Sequence, residues 1–238
     1  MNWRAAIDTK IIHRPKYLVE DYVRKLSFVN AGALEWGNVY CIDYVMKNMK
    51  SAAPFFEIGS LCGLSTNIIS YYRKKYNRTN DFYSCDKWDF GGGERMYLSP
   101  FEGTGVTEKS YGEFVKQAFI SNVKMFSAFH LPYHIEEFSD QVFKWWEEKK
   151  QITTMFGQQV KLGGTFSFVF IDGNHDYEFA KIDFENTDRF LEKDGYILFD
   201  DSHDFATCGV PRVIKEMKQT GRYKVVMKNP NYLVQKIN

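Results

Sequence analysis

Apolar residues occur along this chain in two patterns that alternate from one segment to the next. Short apolar runs bounded by polar or turn-forming residues predict strands, which cover 54–58, 81–86, 133–137, 166–171 and 196–199. Apolar residues at three- and four-residue spacing predict helices, which cover 16–29, 38–49, 64–76, 111–129 and 177–192, with one more starting near Ser139. Because strands alternate with helices, the pattern predicts an α/β fold with a mostly parallel sheet.

The pattern changes towards the carboxyl end, where two strand-like runs, 222–227 and 232–237, follow each other closely. Such a short link joins antiparallel strands, so the sheet is expected to contain one reversed strand. A smaller hairpin is predicted at 151–164, and the glycine-rich segment 88–110 is predicted to be a loop. Residues 1–50 are expected to be helical, and they could cap an active site or build a subunit interface in a homo-oligomer.

Composition narrows the class of protein. A chain of 238 residues with 44% hydrophobic residues is expected to form a single domain, residues 1–238. A net charge of +1 argues against a nucleic-acid partner, and no apolar run is long enough to span a membrane. The cysteines form no CxxC pair, and the first residues lack the apolar segment of a signal peptide. We therefore expect a reduced, cytoplasmic protein.

The first predicted strand runs into a turn with the pattern E-x-G-x-x-x-G, formed by Glu57, Gly59 and Gly63. Gly59 is expected to leave room for a ligand against the backbone, and Gly63 to allow close packing of strand and helix. Glu57 supplies a carboxylate for an ammonium group, directly or through water. Either Ser65 or Thr66 could cap the helix that follows. The turn therefore predicts a site for a nucleotide-like ligand.

Acidic residues also follow the later strands, where ligands bind in open α/β sheets. Asp86 ends the second strand and can accept hydrogen bonds from both hydroxyls of a ribose. Trp88 could lie against an adenine or in the core. Ser139, after the third strand, could contact the adenine amino edge or cap a helix. These residues favour an adenosine-bearing ligand.

Three carboxylates, Asp172, Asp200 and Asp201, follow two strands that are separated by one helix. They are expected to meet at one sheet edge, where they would repel one another unless a proton or a cation lies between them. Hard oxygen ligands favour Mg²⁺ over zinc. A divalent cation there could hold a substrate hydroxyl and lower its pKa.

His175 lies three residues after Asp172 and is the candidate general base, since histidine titrates near neutral pH. The alternative is a histidine that caps a helix or lies on the surface. His203 is a weaker candidate for the base, whereas His13, His130 and His134 are interpreted as structural.

The segment from 171 to 177 has the pattern I-D-G-x-H-x-Y, and with Asp200 and Asp201 it resembles the metal-dependent O-methyltransferases of the macrocin and sugar type. The resemblance covers 54–202 and implies a class I methyltransferase fold: seven mostly parallel strands with a reversed carboxyl-terminal strand and helices on both faces. It also implies His175 as the base and Asp172, Asp200 and Asp201 as metal ligands. The residues expected to bind S-adenosylmethionine (SAM) are Glu57, Gly59, Ser60, Gly63, Ser65, Asp86, Trp88 and Ser139.

The leading hypothesis is therefore transfer of a methyl group from SAM to a hydroxyl of a sugar or glycan precursor, with segment 88–110 closing over the acceptor as a lid. A catechol-like or other small-molecule hydroxyl is the alternative acceptor. A non-catalytic SAM-binding protein is a further alternative. NAD binding is disfavoured because the turn reads G-S-L-C-G and not G-x-G-x-x-G.

Overall fold

Seven strands form one sheet, and two short strands form a separate hairpin in the computed structural model, which describes residue 16 and residues 20–91 and 104–238. The strands, in chain order, are β1 (Phe55–Ile58), β2 (Phe82–Cys85), β3 (Tyr133–Ile135), β4 (Gln151–Thr153), β5 (Gln159–Lys161), β6 (Phe166–Ile171), β7 (Leu191–Phe199), β8 (Tyr223–Lys228) and β9 (Tyr232–Lys236).

The sheet has the order β3-β2-β1-β6-β7-β9-β8. The first five strands in this order are parallel, and β9 pairs antiparallel with both β7 and β8. The mostly parallel sheet with one reversed strand is thus confirmed. The hairpin predicted at 151–164 is confirmed as well, because β4 and β5 pair antiparallel.

Seven helices are present in the described part of the chain, and most lie where the sequence predicts them. They are α1 (Asp21–Val29), α2 (Trp36–Asn48), α3 (Leu64–Lys75), α4 (Glu108–Phe126), α5 (Ser139–Glu147), α6 (Tyr177–Phe190) and α7 (Val210–Gln219).

Helices α4 and α7 are among those that differ from the prediction. Helix α4 starts three residues early because Thr107 and Ser110 form a capping box in which each side chain bonds the other's backbone amide. Helix α7 was not predicted, although its buried residues Val210, Val213, Ile214 and Met217 have helical spacing. Part of the predicted lid, residues 92–103, lies outside the described residues, as do 1–15 and 17–19 of the predicted helical segment.

Side chains alternate between the two faces of the sheet, and each face carries a core. Phe56, Ile58 and Val169 point to the face covered by α5, α6 and α7, whereas Phe55 and Phe168 point to the face covered by α1, α2 and α3. Helices therefore lie on both faces, as predicted. No helix in the described ranges is long and apolar enough to cross a membrane.

Candidate active site

The carboxyl ends of β1, β2, β6 and β7 border one cavity with a volume of about 1110 Å³. This cavity joins the two parts of the predicted site, because Gly59, Asp86 and Ser139 line it together with His175 and Asp201. Trp88 also lines it, whereas the remaining predicted residues are not part of its lining: Glu57, Ser60, Gly63, Ser65, Asp172 and Asp200.

The glycines of the first turn make close contacts that the sequence analysis did not predict. Gly59 has φ +81°, and a Cβ atom there would lie 2.0 Å from the carbonyl oxygen of Asp172. Gly63 has φ +85°, and a Cβ atom there would lie 3.1 Å from the side chain of Phe119 and 3.0 Å from that of Val123, both on α4. Gly59 therefore allows two backbones to approach each other at the edge of the cavity, and Gly63 allows close packing on α4.

Glu57 is completely buried beneath this turn and accepts a hydrogen bond of 2.5 Å from the hydroxyl of Thr66. Burial raises the pKa of Glu57 to about 8, although the hydroxyls of Ser65 and Thr66 act in the opposite direction. The prediction that Ser65 or Thr66 caps α3 is wrong, because α3 follows Gly63 and has no side-chain cap. These residues instead stabilise the buried Glu57 carboxyl group.

Asp86 connects the glycine turn to the cavity. Its Oδ2 accepts hydrogen bonds of 2.9 Å from the backbone amides of both Ser60 and Leu61, and its Oδ1 accepts one of 2.8 Å from the amide of Trp88. Burial raises the pKa of Asp86, while these amides lower it. The carboxyl group therefore fixes the turn and has acceptor capacity left on the cavity side.

Trp88 belongs mainly to the core. Its side chain is only 6% exposed, with ring centroids 5.2 Å from Phe119 and 5.0 Å from His134. The Nε1 of Trp88 donates to the carbonyl of Leu61 at 2.9 Å. His134 is buried next to Ser84, and burial lowers its pKa to about 3, which fits the structural role predicted for it.

Ser139 has a partner that the sequence analysis missed. Helix α5 follows Phe138 without a side-chain cap, so the capping alternative for Ser139 is wrong. The hydroxyl of Ser139 donates to Oδ1 of Asp183 at 2.5 Å instead. Asp183 lies on α6 among core residues with helical spacing, and no motif in the sequence distinguishes it from a solvated acid.

His175 lies between two carboxylates at the other end of the cavity. Its Nδ1 is 2.8 Å from Oδ2 of Asp201, and its Nε2 is 3.5 Å from Oδ1 of Asp172. The pKa of Asp201 is lowered, mainly by its hydrogen bond with His175. Asp201 thus orients the imidazole, whose other nitrogen, Nε2, is buried and faces Asp172.

Asp172 and Asp200 form a close carboxyl pair. Burial raises the pKa of both, and a hydrogen bond between them lowers the pKa of Asp172 and raises that of Asp200. Oδ1 of Asp200 also accepts hydrogen bonds from Asn38 at 2.5 Å and from Asn231 at 2.7 Å. Neither asparagine was predicted, because each is distant in sequence and part of no motif.

The three predicted metal ligands are near one another but are engaged separately. Asp201 faces His175, and one oxygen of Asp200 is used by two amide groups. Within residues 20–91 and 104–238, no group of three or more His, Cys, Asp or Glu side chains is arranged to hold a metal ion. The described structure therefore does not gather the three carboxylates into a metal site, and Mg²⁺ binding by them stays a prediction.

Comparisons with known proteins agree with the fold. The model of the family described as "Methyltransferase domain" matches residues 56–202, which is more than half of the chain. No curated protein matches the sequence.

Solved structures with the same fold have low sequence identity to this chain. An O-methyltransferase from Bacillus cereus in complex with S-adenosylhomocysteine (SAH) has a TM-score of 0.58 at 12% identity, over 95% of this chain and 94% of that one. SAH-bound methyltransferase PaMTH1 from Podospora anserina has a TM-score of 0.58 at 13% identity, over 92% and 88%. A TDP-rhamnose 3'-O-methyltransferase of calicheamicin biosynthesis has a TM-score of 0.53 at 11% identity, over 92% and 97%.

Proposed function

The chain belongs to the methyltransferase domain family, and we propose that it transfers the methyl group of SAM to a hydroxyl of a small molecule. The observation that carries this proposal is the pair of His175 and Asp201, 2.8 Å apart, in the cavity that Gly59 and Asp86 also line. A base and a cofactor turn in one cavity are what methyl transfer to a hydroxyl needs.

The cofactor end of the cavity suits SAM. The cavity of about 1110 Å³ exceeds the upper range of typical small-ligand sites, roughly 1,000 Å³, so it has room for a cofactor and an acceptor together. Asp86 is available to ribose hydroxyls at the end of β2, as in related dinucleotide folds. Glu57 is buried behind the turn, so its influence on the methionine end of SAM is exerted through the turn.

The chemistry needs a proton acceptor at the hydroxyl and little else, because the sulfonium sulfur is already a good leaving group. His175 takes the proton of the acceptor hydroxyl, and the carboxylates of Asp172 and Asp201 beside its ring nitrogens stabilise the imidazolium that results. The acceptor oxygen bonds to the methyl carbon while the carbon–sulfur bond breaks, and its electron pair stays on sulfur as a neutral thioether. Orientation in the cavity supplies the remaining rate enhancement.

No step of this mechanism passes through a metal ion, because Asp200 and Asp201 are engaged by other side chains. Mg²⁺ assistance by Asp172, Asp200 and Asp201 therefore stays a separate hypothesis. Loss of activity in a chelator, restored by Mg²⁺, would support it, whereas full activity in excess chelator rules it out.

For the acceptor, we propose a sugar or glycan precursor. Near His175 the cavity is lined by the polar residues Asn174 and Asp176, which suit an acceptor with several hydroxyls. Phe179 and Phe205 are 48% and 91% exposed and also line the cavity. Because aromatic faces pack on sugars as well as on phenolic rings, a catechol-like acceptor is the second candidate. Activity with panels of nucleotide sugars and of catechols separates the two.

The proposal is tested at His175. His175→Ala should lower turnover about 100-fold or more, as expected for loss of a general base, while SAH affinity measured by calorimetry stays within about twofold. His203→Ala tests the alternative base and should retain most activity. If wild-type protein does not bind SAH, the methyltransferase proposal fails; if it binds SAH without turnover on any acceptor, the non-catalytic alternative holds.

A further inference from the structure

The turn between β1 and α3 has a backbone conformation that needs support from outside. Three of its residues, Gly59, Leu61 and Gly63, have left-handed φ angles of +81°, +44° and +85°. Such a conformation is unfavourable for leucine, and it persists where the surrounding structure fixes it. Asp86 and Trp88 hold the first half of the turn through the amide and the carbonyl of Leu61. The second half is held by residues that the proposed chemistry does not use.

The carbonyl of Cys62 is the point of support in the second half of the turn. It accepts a hydrogen bond of 2.9 Å from Nδ2 of Asn30, which follows α1, and another of 2.9 Å from Nδ2 of Asn122 on α4. A carbonyl oxygen has two lone pairs, so these two amides use its full accepting capacity. None of these three residues is among those that line the cavity. Both asparagines therefore act on the turn and not on a ligand.

Asn30 is itself fixed by a chain of buried polar groups. Its Oδ1 accepts a hydrogen bond of 2.7 Å from Nδ2 of Asn67 on α3, and Oδ1 of Asn67 accepts one of 2.6 Å from the hydroxyl of Ser127, at the end of α4. All three side chains are completely buried. Burying polar groups is costly unless they are paired, and apolar side chains would pack these helices as well. The polar groups perform a task that apolar packing cannot, because they direct the Asn30 amide to the Cys62 carbonyl.

We propose that Asn30 and Asn122 are positioning residues for the cofactor, an inference that rests on the proposed function. By holding the Cys62 carbonyl, they keep the turn in the shape that receives the methionine end of SAM. Without these amides the peptide group between Cys62 and Gly63 can rotate, and the turn samples other conformations. Binding must then restore its shape, and this ordering cost lowers the affinity. The cost falls on the methionine end, because Asp86 keeps its own bonds to the first half of the turn.

Calorimetric titration with SAH and with 5'-methylthioadenosine tests this, because the second ligand keeps the adenosine and the sulfur but lacks the amino-acid end. Asn122→Ala should weaken SAH binding about tenfold and leave 5'-methylthioadenosine binding within about twofold of wild type, as expected for one lost hydrogen bond at the turn. Asn30→Ala should act in the same way. Asn122→Asp, which has nearly the same shape but no amide donor, should match Asn122→Ala. Gln117→Ala removes an exposed amide from the same helix and should change neither affinity.

Equal weakening of both ligands in the asparagine variants overturns the inference, because a packing role would affect the whole site. Unchanged SAH affinity in Asn122→Ala, or wild-type SAH affinity in Asn122→Asp, overturns it as well. Circular dichroism checks folding, and if the fully buried position does not tolerate Asn30→Ala, the partly exposed Asn122 decides. A wild-type protein that binds neither ligand contradicts the proposed function itself, so the two failures are distinguishable.

Discussion

Single residues in the first turn are restricted by the space around them. Gly59 lies against the backbone of Asp172, and Glu57 lies below with one carboxylate oxygen, Oε1, that has no hydrogen-bond partner among the described residues. The sequence pattern of an acid and two glycines predicted that these residues form a ligand site. The pattern could not predict the steric restriction at Gly59, because that restriction comes from Asp172, more than 100 residues later in the sequence.

Gly59→Ala should therefore destabilise the protein by about 3 kcal/mol or more, because a Cβ atom 2.0 Å from a backbone oxygen forces the two strand ends apart. Gly157→Ala is the matched control: Gly157 has nearly the same φ, +82°, but nothing lies within 4 Å of its Cβ position. It should cost only about 1 kcal/mol of backbone strain. Urea unfolding measures both, and equal losses would contradict the steric explanation.

Glu57 should make stability depend on pH. Burial raises its pKa from 4.5 to about 8, so the folded state keeps a proton that the unfolded state releases in this range. The contribution of Glu57 to the free energy of unfolding is therefore greatest at low pH. It falls as the pH rises towards 8, by up to about 1.4 kcal/mol per pH unit. Above pH 8 the contribution no longer changes.

Glu57→Gln cannot ionise, so its free energy of unfolding should rise relative to that of wild type between pH 5 and 8. Chemical denaturation of both proteins at several pH values gives this difference, in which the other titrating groups cancel. A difference that is constant with pH would show that Glu57 is ionised in the folded protein.

At the scale of elements, the site depends on contacts between segments that carry no motif. Helix α2 brings Asn38, and the turn between β8 and β9 brings Asn231, to the same oxygen of Asp200. Asn231 also donates to Asn38 at 3.2 Å and accepts from the backbone of Ser202 at 2.9 Å. Part of the predicted helical segment before β1 thus contacts Asp200, and its role as a cap or as a subunit interface stays a prediction.

Asn231→Ala should lower kcat about tenfold, with SAH affinity within about twofold of wild type, because Asp200 loses a donor and its position next to Asp172 relaxes. Asn38→Ala should act in the same way, and the double variant should lose less than the sum of both. Asn48→Ala is the control, since Asn48 is exposed on the same helix and bonds only the carbonyl of Tyr44 in the described structure. Additive losses would mean that the two asparagines act independently.

For the whole molecule, the sequence was sufficient to predict the reversed strand and, apart from α7, the order of strands and helices along the chain, since these depend on local patterns and short links. It was also sufficient to bring Asp86, His175 and Asp201 to one cavity, because parallel strands end at one edge. The sequence could not predict the contacts of Asn38, Asp183 and Asn231, because each of these residues bonds a side chain that is distant in the sequence. The missed helix α7 had the pattern but followed a polar loop that concealed its start.

The contact between Asn38 and Asn231 joins residues 193 positions apart, and it depends on β9 inserting between β7 and β8. Closing so long a loop is entropically slow. We therefore expect catalytic competence to appear late in refolding, after the parallel strands have formed and the cofactor turn is in place. Cofactor binding and turnover would then report two different stages in the folding of the same domain.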